Sequence, residues 1–281
     1  WMNKLQIIDS TTITLFSNLI FKGVGRHPKS GKKKGGIKVH TVIHANEGVP
    51  SEIKFTSAAT NDSFMLKPSH LSKGDIIAMY RAYIDYEKFE ELTQKGVIYV
   101  TKMKKSLNYS IINDTMYQTP DGVMEVRIQD VTFTKKICGG ETIIHKARII
   151  THVDTKKRKL ISLLTNDMDS EPNDIIAIYR QRWEIELLFK QIKQNFPLKY
   201  FYGESANAIK IQIWVTLIAN LLLMIMQKRL KRPWSFSGLA TMIRITLMYY
   251  VDFYSLFNNP EKDWENMVIS DENPPPQLTL F

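Results

Sequence analysis

The segment that decides the fold of this chain is Tyr179–Lys193, which reads YRQRWEIELLFKQIK. Most of its residues are good helix formers, and neither glycine nor proline interrupts it before Pro197. We therefore predict one continuous helix. Asn173 or Asp174, directly behind Pro172, can cap its start by accepting a hydrogen bond from a free backbone N–H group.

Four polar side chains share one face of this predicted helix. Tyr179 and Arg182 lie seven and four residues before Glu186, and Lys193 lies seven after it, so all fall within about 40° of Glu186 around the axis. The stripe can be a solvated face held by an ion pair between Arg182 and Glu186. The rest of the helix is largely apolar, which instead favours a stripe that faces a cleft. There its carboxylate and two cations could bind a metal and a phosphate together. The apolar residues are Trp183, Leu187, Leu188, Phe189 and Ile192.

A second candidate carboxylate lies near the start of the chain. Lys4–Leu15 is an apolar, β-branched run that predicts a buried strand, and Asp9 lies in its middle. A carboxylate in an apolar strand is costly unless it has a partner or a metal. The strand alone leaves two roles open for Asp9, namely a hydrogen bond to the neighbouring Ser10 or Thr11 and a metal ligand.

A basic, glycine-rich stretch follows this strand. The chain has no acidic residue from Ser10 to Asn46, and Lys22–Lys38 holds seven cations. Because glycine allows close backbone approach and lysine supplies charge, this stretch predicts contact with a phosphate backbone; a solvated turn is the alternative. The candidate DNA-binding residues here are Lys32, Lys33, Lys34 and Lys38. His40 lies in the strand that follows, where we expect a structural role, since no second histidine lies at ligand spacing.

Together these motifs resemble a known family. Tyr179, Arg182, Glu186 and Lys193 match the YREK signature of DDE transposases of bacterial insertion sequences, in the group founded by insertion sequence four. The run LQIIDSTTITLF at residues 5–16 is similar to the first-aspartate strand of that family. The runs GKKKGGIKVHT, LLFKQIKQNFPLKYF and AIKIQIWVTLIANLLL are similar as well. The resemblance covers nearly the whole chain.

The resemblance implies an α/β fold with a ribonuclease-H-like catalytic core, a mixed sheet flanked by helices, and a β-rich insertion before the glutamate helix. In such a core Asp9, position 80 and Glu186 converge at the strand ends. Three carboxylates there hold two Mg²⁺ or Mn²⁺ ions for in-line attack on a DNA phosphate. Asp9 and Glu186 are thus the catalytic and metal-binding candidates, while Arg182 and Lys193 hold a phosphate beside Tyr179.

The chain departs from the family pattern at position 80. The family places its second catalytic aspartate directly after the strand that ends here at Met79, but this chain has Tyr80, and Ala82 replaces the usual glycine. A neutral phenol is a poor bridge between divalent ions, so we expect an incomplete two-metal site and impaired cleavage. Asp75 lies about 16 Å back along an extended strand and Asp85 lies beyond a turn, so neither is expected to replace the carboxylate.

The predicted domain organisation follows from this fold. Residues 1–103 form the first part of the core, 104–162 the β-rich insertion, 163–259 the second part with the catalytic and C-terminal helices, and 260–281 a loosely ordered tail. The resemblance also implies a helical DNA-binding region ahead of this core, so we expect the chain to be a piece of a longer protein.

One segment of the second part raises a membrane alternative. Ala208–Gln227 is strongly apolar between basic flanks. Gln212, Thr216 and Asn220 nevertheless repeat every four residues, so we predict a core helix with one polar stripe rather than a membrane span. Trp234–Phe257 is predicted as one further helix.

Composition narrows the classes of function. With 44% hydrophobic and 23% charged residues the chain is typical globular material, and a net charge of +10 with a pI near 9.4 favours nucleic acid or an anionic membrane as partner. The single Cys138 excludes an intrachain disulfide and fits a reducing cytoplasm. The resemblance further implies a bacterial protein at the nucleoid that binds double-stranded DNA, both terminal inverted repeats and target, as a homodimer without a membrane partner.

Three functional hypotheses remain open from the sequence. The first is a transposase catalytic domain that cleaves and transfers DNA strands at insertion-sequence ends, impaired by Tyr80. The second is an inactive DNA-binding remnant of such an enzyme. The third is a protein of anionic membranes that uses Ala208–Gln227. The first two hypotheses differ only at position 80.

Overall fold

The computed structural model describes residues 1–15, 36–118, 125–136, 142–154, 158–247 and 252–261. The predicted DNA-binding residues Lys32, Lys33 and Lys34, and the predicted tail beyond residue 261, lie outside the described residues. The chain divides into two compact units. The first comprises Trp1–Lys190 with Glu204–Ala206, and the second comprises Gln191–Gly203 with the described residues from Asn207 onward.

A mixed sheet of nine strands forms the frame of the first unit, counted over the described residues. The strands are β1 Leu5–Thr14, β2 Gly36–His44, β3 Val49–Ser57, β4 Ile76–Met79, β5 Ile98–Lys102, β6 Ser110–Gln118, β7 Glu125–Lys136, β8 Thr142–Asp154 and β9 Lys159–Thr165. Their spatial order is β3-β2-β1-β4-β5-β9-β8-β7-β6. The pairs β1–β4 and β4–β5 are parallel, and the other pairs are antiparallel. The predicted mixed sheet is therefore confirmed.

The strands predicted as a β-rich insertion at 104–162 extend this same sheet. β9 pairs with β5, and β8, β7 and β6 follow in turn by antiparallel pairing. The last of them runs to Thr165, slightly beyond the predicted boundary. The domain boundaries themselves stay a prediction.

The register between β1 and β4 positions the candidate site. All four residues of β4 are buried, as expected for a parallel strand covered on both faces. Ile8 lies opposite Met79, so the next residues along the two parallel strands, Asp9 and Tyr80, are neighbours at the end of β4. The sequence prediction that these two positions converge is borne out by this register.

Two helices of the first unit pack on the sheet. Helix α1 (Tyr86–Gln94) lies against β5 and β8 and buries Phe89 and Leu92. It begins at Tyr86 because the Asp85 carboxylate caps it by accepting from the Glu87 N–H at 3.3 Å. Helix α2 (Pro172–Gln181) lies against β4, β5 and β9.

The prediction of one continuous helix through 179–193 is wrong. α2 ends at Gln181, and α3 (Trp183–Asn195) begins after Arg182. The Arg182 N–H bonds the carbonyl three residues back, at 3.2 Å, so the usual four-residue ladder is interrupted. The predicted cap is also wrong, because Glu171 occupies the N-cap position without a side-chain bond and Pro172 takes the first helical position.

A buried polar chain ties α1 to the sheet. The Tyr99 hydroxyl lies 2.7 Å from His145 Nε2, and His145 Nδ1 lies 2.9 Å from a carboxylate oxygen of Glu90. The Phe89 ring stacks on Tyr99 with 4.0 Å between centroids. The buried Tyr99 hydroxyl and both His145 nitrogens therefore have partners, as buried polar groups usually do.

We expect Tyr99→Phe to lower the free energy of unfolding by about 1–2 kcal/mol, because His145 keeps its buried nitrogen but loses the partner. Urea denaturation followed by circular dichroism measures the change. The matched control is Tyr254→Phe, at a partly exposed ring, for which we expect a change within about 0.5 kcal/mol. Equal losses in the two variants would show that the Tyr99 hydroxyl adds nothing to stability.

The second unit is helical over its described residues. It contains the end of α3, most of α4 (Ala206–Arg229), α5 (Phe236–Thr246) and α6 (Phe253–Asn258). The prediction of a single helix over Trp234–Phe257 is wrong, because Ser235 caps the start of α5 and Asp252 caps a separate start at α6.

Helix α4 does not follow its predicted role as a core helix. Its polar residues Thr216 and Asn220 are buried, and Asn220 accepts a hydrogen bond from Gln191 at 3.1 Å. An apolar face is instead about half exposed, formed by Ile211, Val215, Ile218, Leu222 and Ile225. By length and composition α4 could cross a membrane, and 28% of its most apolar window is buried. The predicted polar stripe is therefore present, and two of its three members, Thr216 and Asn220, are buried.

Candidate active site

Residues from three distant parts of the chain meet beside the end of β4. Asp9 comes from β1, Tyr80 directly follows β4, and Arg182 lies at the junction of α2 and α3. Asp9 and Glu186 both bond the Arg182 guanidinium, each through a different terminal nitrogen, so the two predicted catalytic acids share one cation. The sequence placed both acids at this site but gave no indication that they would share Arg182.

Asp9 is a largely buried carboxylate. Its Oδ1 accepts from the Ser10 N–H at 2.8 Å, and its Oδ2 lies 3.3 Å from Arg182 Nη1. Burial raises the pKa of Asp9 to about 6, although the Ser10 N–H and the Arg182 guanidinium both favour the ionised form. Of the two alternatives left open by the sequence, the hydrogen bond to Ser10 is present, and the role of Asp9 as a metal ligand stays a prediction.

Arg182 is the centre of the cluster. Its side chain is 9% exposed, and its Nη2 lies 2.5 Å from Glu186 Oε1. The Nε–H is buried and has no hydrogen-bond partner within the described part of the chain. Burial opposes the charge of this guanidinium, but Tyr179, Glu186 and Asp9 outweigh that effect and raise its pKa. Arg182 is therefore a firmly charged cation held inside the site.

Two aromatic rings enclose this cation. The Tyr80 and Tyr179 ring centroids lie 5.7 and 5.5 Å from the guanidinium carbon of Arg182, within the range of a cation–π contact. The Arg81 guanidinium also lies 5.6 Å from the Tyr80 centroid. Burial raises the pKa of Tyr179. Tyr80 thus contacts Arg182 through its face, in the place where the resemblance expects a metal-bridging carboxylate.

The predicted cations outside this cluster have other surroundings. Lys38 donates to the Thr60 carbonyl at 2.7 Å and lies 3.1 Å from Asp62, so its charge already has a partner. Lys193 lies on α3 but belongs to the second unit, and desolvation lowers its pKa. The DNA-binding role of Lys38 and the phosphate-binding role of Lys193 stay predictions.

A neighbouring polar network was missed by the sequence reasoning. Ser10 holds Asp9 through its N–H and donates its hydroxyl to Asp62 at 2.6 Å. The fully buried His40 has its Nδ1 3.7 Å from Asp62 and its Nε2 2.7 Å from the Thr56 hydroxyl. Asp62 and Ser10 are 52 residues apart, and no local pattern indicates their contact. The expected structural role of His40 agrees with this burial.

The residues present do not fit a two-ion metal centre. Across the described ranges, no group of three or more His, Cys, Asp or Glu side chains is placed to hold a metal ion. Asp75 accepts from the Ser72 N–H and Asp85 caps α1, so both are occupied away from the cluster. Asp62, near Asp9, is bonded by Ser10 and lies 3.1 Å from Lys38. Asp9 and Glu186 are both paired with Arg182.

The fold and the acid pair define a ribonuclease-H-like core. A solved relative supports the fold: the piggyBac transposase synaptic complex with hairpin DNA aligns with a TM-score of 0.51 at 10% identity, over 99% of this chain and 59% of that one. At that identity the likeness concerns the fold alone.

The chain belongs to the family of the transposase DDE domain, whose model matches residues 2–222. It is 28% identical over 221 residues to the transposase-type protein y4zB of Sinorhizobium fredii, covering 79% of this chain and 60% of that protein. It is 24% identical over 227 residues to the transposase-type protein of insertion sequence element IS5377 in Geobacillus stearothermophilus, covering 78% and 55%. The chain thus spans about three fifths of the length of these relatives.

Proposed function

We propose that this chain is the catalytic domain of a DNA transposase in which strand cleavage at insertion-sequence ends is impaired at position 80. One observation carries the proposal: Asp9 and Glu186, far apart in sequence, meet at one guanidinium beside Tyr80. Family membership supports action on DNA and implies dependence on a divalent metal in general. An inactive DNA-binding remnant is the second candidate, favoured by the same tyrosine.

The chemistry of the site supports binding more than cleavage. Cleavage in this class uses two ions, Mg²⁺ or Mn²⁺, which stabilise the attacking and leaving oxygens at phosphorus. Asp9 and Glu186 alone leave the bridging position between two ions without a carboxylate. Arg182, Lys193 and Tyr179 are the residues proposed to hold a DNA phosphate, through charge-assisted hydrogen bonds and a phenol donor.

The basic stretch before β2 is proposed as a DNA contact. We expect substitution of Lys32, Lys33 and Lys34 by glutamine to weaken binding to a 30-base-pair duplex and to reduce the log–log salt slope by about 2–3, because each phosphate contact adds roughly 0.9 to it. Fluorescence anisotropy over a range of salt concentrations measures both quantities.

The matched control for that prediction is the triple glutamine variant of Lys105, Lys146 and Lys159, three exposed lysines outside the basic stretch. It removes the same net charge, so a general electrostatic effect acts equally on both variants. If the two triple variants have the same slope and affinity, the basic stretch makes no specific phosphate contact, and the proposal for it fails.

The assembly and location of the protein are part of the proposal. We propose a homodimer on double-stranded DNA, with terminal inverted repeats and target DNA as its substrates, acting at the nucleoid in the bacterial cytoplasm. Light scattering of the protein with and without duplex tests the dimer. A complex with one chain per duplex at every protein concentration would contradict it.

A further inference from the structure

Arg182 contacts both of the predicted catalytic acids. Its guanidinium reaches Asp9 with Nη1 at 3.3 Å and Glu186 with Nη2 at 2.5 Å. A guanidinium that bonds one carboxylate through each of its two terminal nitrogens occupies oxygens that a bound cation would otherwise take. The two acids therefore have a counter-ion that belongs to the chain itself.

Tyr80 contributes to holding that counter-ion in place. It follows β4 directly and lies beside Asp9 in the sheet register, with its ring facing the guanidinium at 5.7 Å. Tyr179 contacts the same carbon at 5.5 Å. An aspartate at position 80 would present negative charge here, whereas the tyrosine presents a ring face that attracts a guanidinium and gives a metal no strong ligand.

We propose that Arg182 is the resident cation of this site, retained by the Tyr80 ring, and that it excludes a divalent ion from between Asp9 and Glu186. The acid pair therefore has a positively charged partner within the chain without metal. This inference does not depend on the proposed DNA-binding function, since it concerns only contacts within the chain. A site without a divalent ion differs from the metal dependence that family membership implies in general.

The direct test is Mn²⁺ binding to the whole chain, measured by isothermal titration and by electron paramagnetic resonance of free Mn²⁺. We expect no binding tighter than about 1 mM in the unchanged chain and binding of one ion at least tenfold tighter in Arg182→Gln. The control is Arg180→Gln. It removes the same charge from an exposed side chain that lies two residues before Arg182. It should bind Mn²⁺ as the unchanged chain does.

A second pair of variants keeps the test decisive if Arg182→Gln does not fold. Tyr80→Leu removes the ring face but keeps apolar bulk, and we expect it to bind Mn²⁺ several-fold tighter. Tyr80→Phe keeps the ring and should leave binding unchanged. The melting temperature with and without Mn²⁺ gives an independent readout, because a bound ion stabilises the folded state.

Two outcomes overturn the inference. In the first, the unchanged chain binds Mn²⁺ as tightly as Arg182→Gln. In the second, neither Arg182→Gln nor Tyr80→Leu binds more tightly than the unchanged chain, so that the guanidinium is not what keeps the ion out. The proposed transposase function is tested separately by duplex binding in EDTA, which does not depend on either result.

Discussion

Tyr80→Asp is expected to bind Mn²⁺ at least tenfold more tightly than the unchanged chain, a gain of about 1.4 kcal/mol or more. The substitution places a third carboxylate beside Asp9 at the end of β4 and removes the ring that faces Arg182. We also expect metal-dependent nicking of a supercoiled plasmid to appear or to rise. A third carboxylate would let the site hold two ions, which stabilise the attacking and the leaving oxygen at phosphorus. Titration calorimetry and agarose gels measure the two effects.

Tyr80→Asn is the matched control, because it removes the same ring and introduces a side chain of the same shape without charge. It should gain much less Mn²⁺ affinity than Tyr80→Asp. Ala82→Gly is added in a further variant, since the family resemblance implies a close approach at that position which a methyl group obstructs. Arg182→Gln combined with Tyr80→Asp should bind Mn²⁺ more tightly still. Nicking by the unchanged chain at the rate of Tyr80→Asp would show that another group completes the site.

Asp9→Asn is expected to raise the free energy of unfolding by about 2 kcal/mol at pH 8 in EDTA. Burial raises the pKa of Asp9 to about 6 in the folded chain, against 3.8 for the free side chain. The folded state therefore binds the proton more tightly, and this contribution to stability is complete below about pH 4 and lost as pH rises through 6. The amide keeps the bond from Ser10, but its NH₂ group faces Arg182, so we expect less than the full gain.

His40 gives that prediction a distinctive pH profile. Burial lowers its pKa to about 4, so the folded chain holds His40 neutral and loses stability as pH falls from about 6.5 to 4. Asp9 acts in the opposite direction over nearly the same range. The unchanged chain should therefore have a shallow profile, while Asp9→Asn becomes clearly less stable toward pH 4.

Urea denaturation at intervals from pH 4 to pH 8 measures these profiles. Asp169→Asn is the control, because this carboxylate is exposed and its loss should leave both the level and the slope within about 0.5 kcal/mol. Parallel curves for Asp9→Asn and the unchanged chain would mean that folding does not raise the pKa of Asp9, because solvent reaches its carboxylate.

The strands that position the site could be predicted from the sequence because their signals are local. The apolar run around Asp9 and the short run ending at Met79 are each recognisable from their own residues. Glu186 was found from its four-residue spacing to Arg182, at which the two side chains pair. These features required no knowledge of which strand lies beside which.

The contacts between those elements could not be predicted in the same way. The bond from Ser10 to Asp62 and the pairing of Arg182 with Asp9 join segments that share no pattern. The break at Arg182 is a single three-residue backbone bond, which helix propensity does not detect. The burial of the polar stripe of helix α4 could not be predicted, because Asn220 finds an internal partner in Gln191 that periodicity alone cannot supply.

The pairing of Asp9 with Arg182 also depends on how much of the chain has been made. The two residues are 173 positions apart, so their contact is among the most non-local in the fold. During synthesis Asp9 leaves the ribosome long before the α2–α3 junction exists. A nascent or truncated chain that ends before Arg182 therefore carries the basic stretch without the acid pair. Until the last third of the chain has been made, any contact with DNA rests on its positive charges.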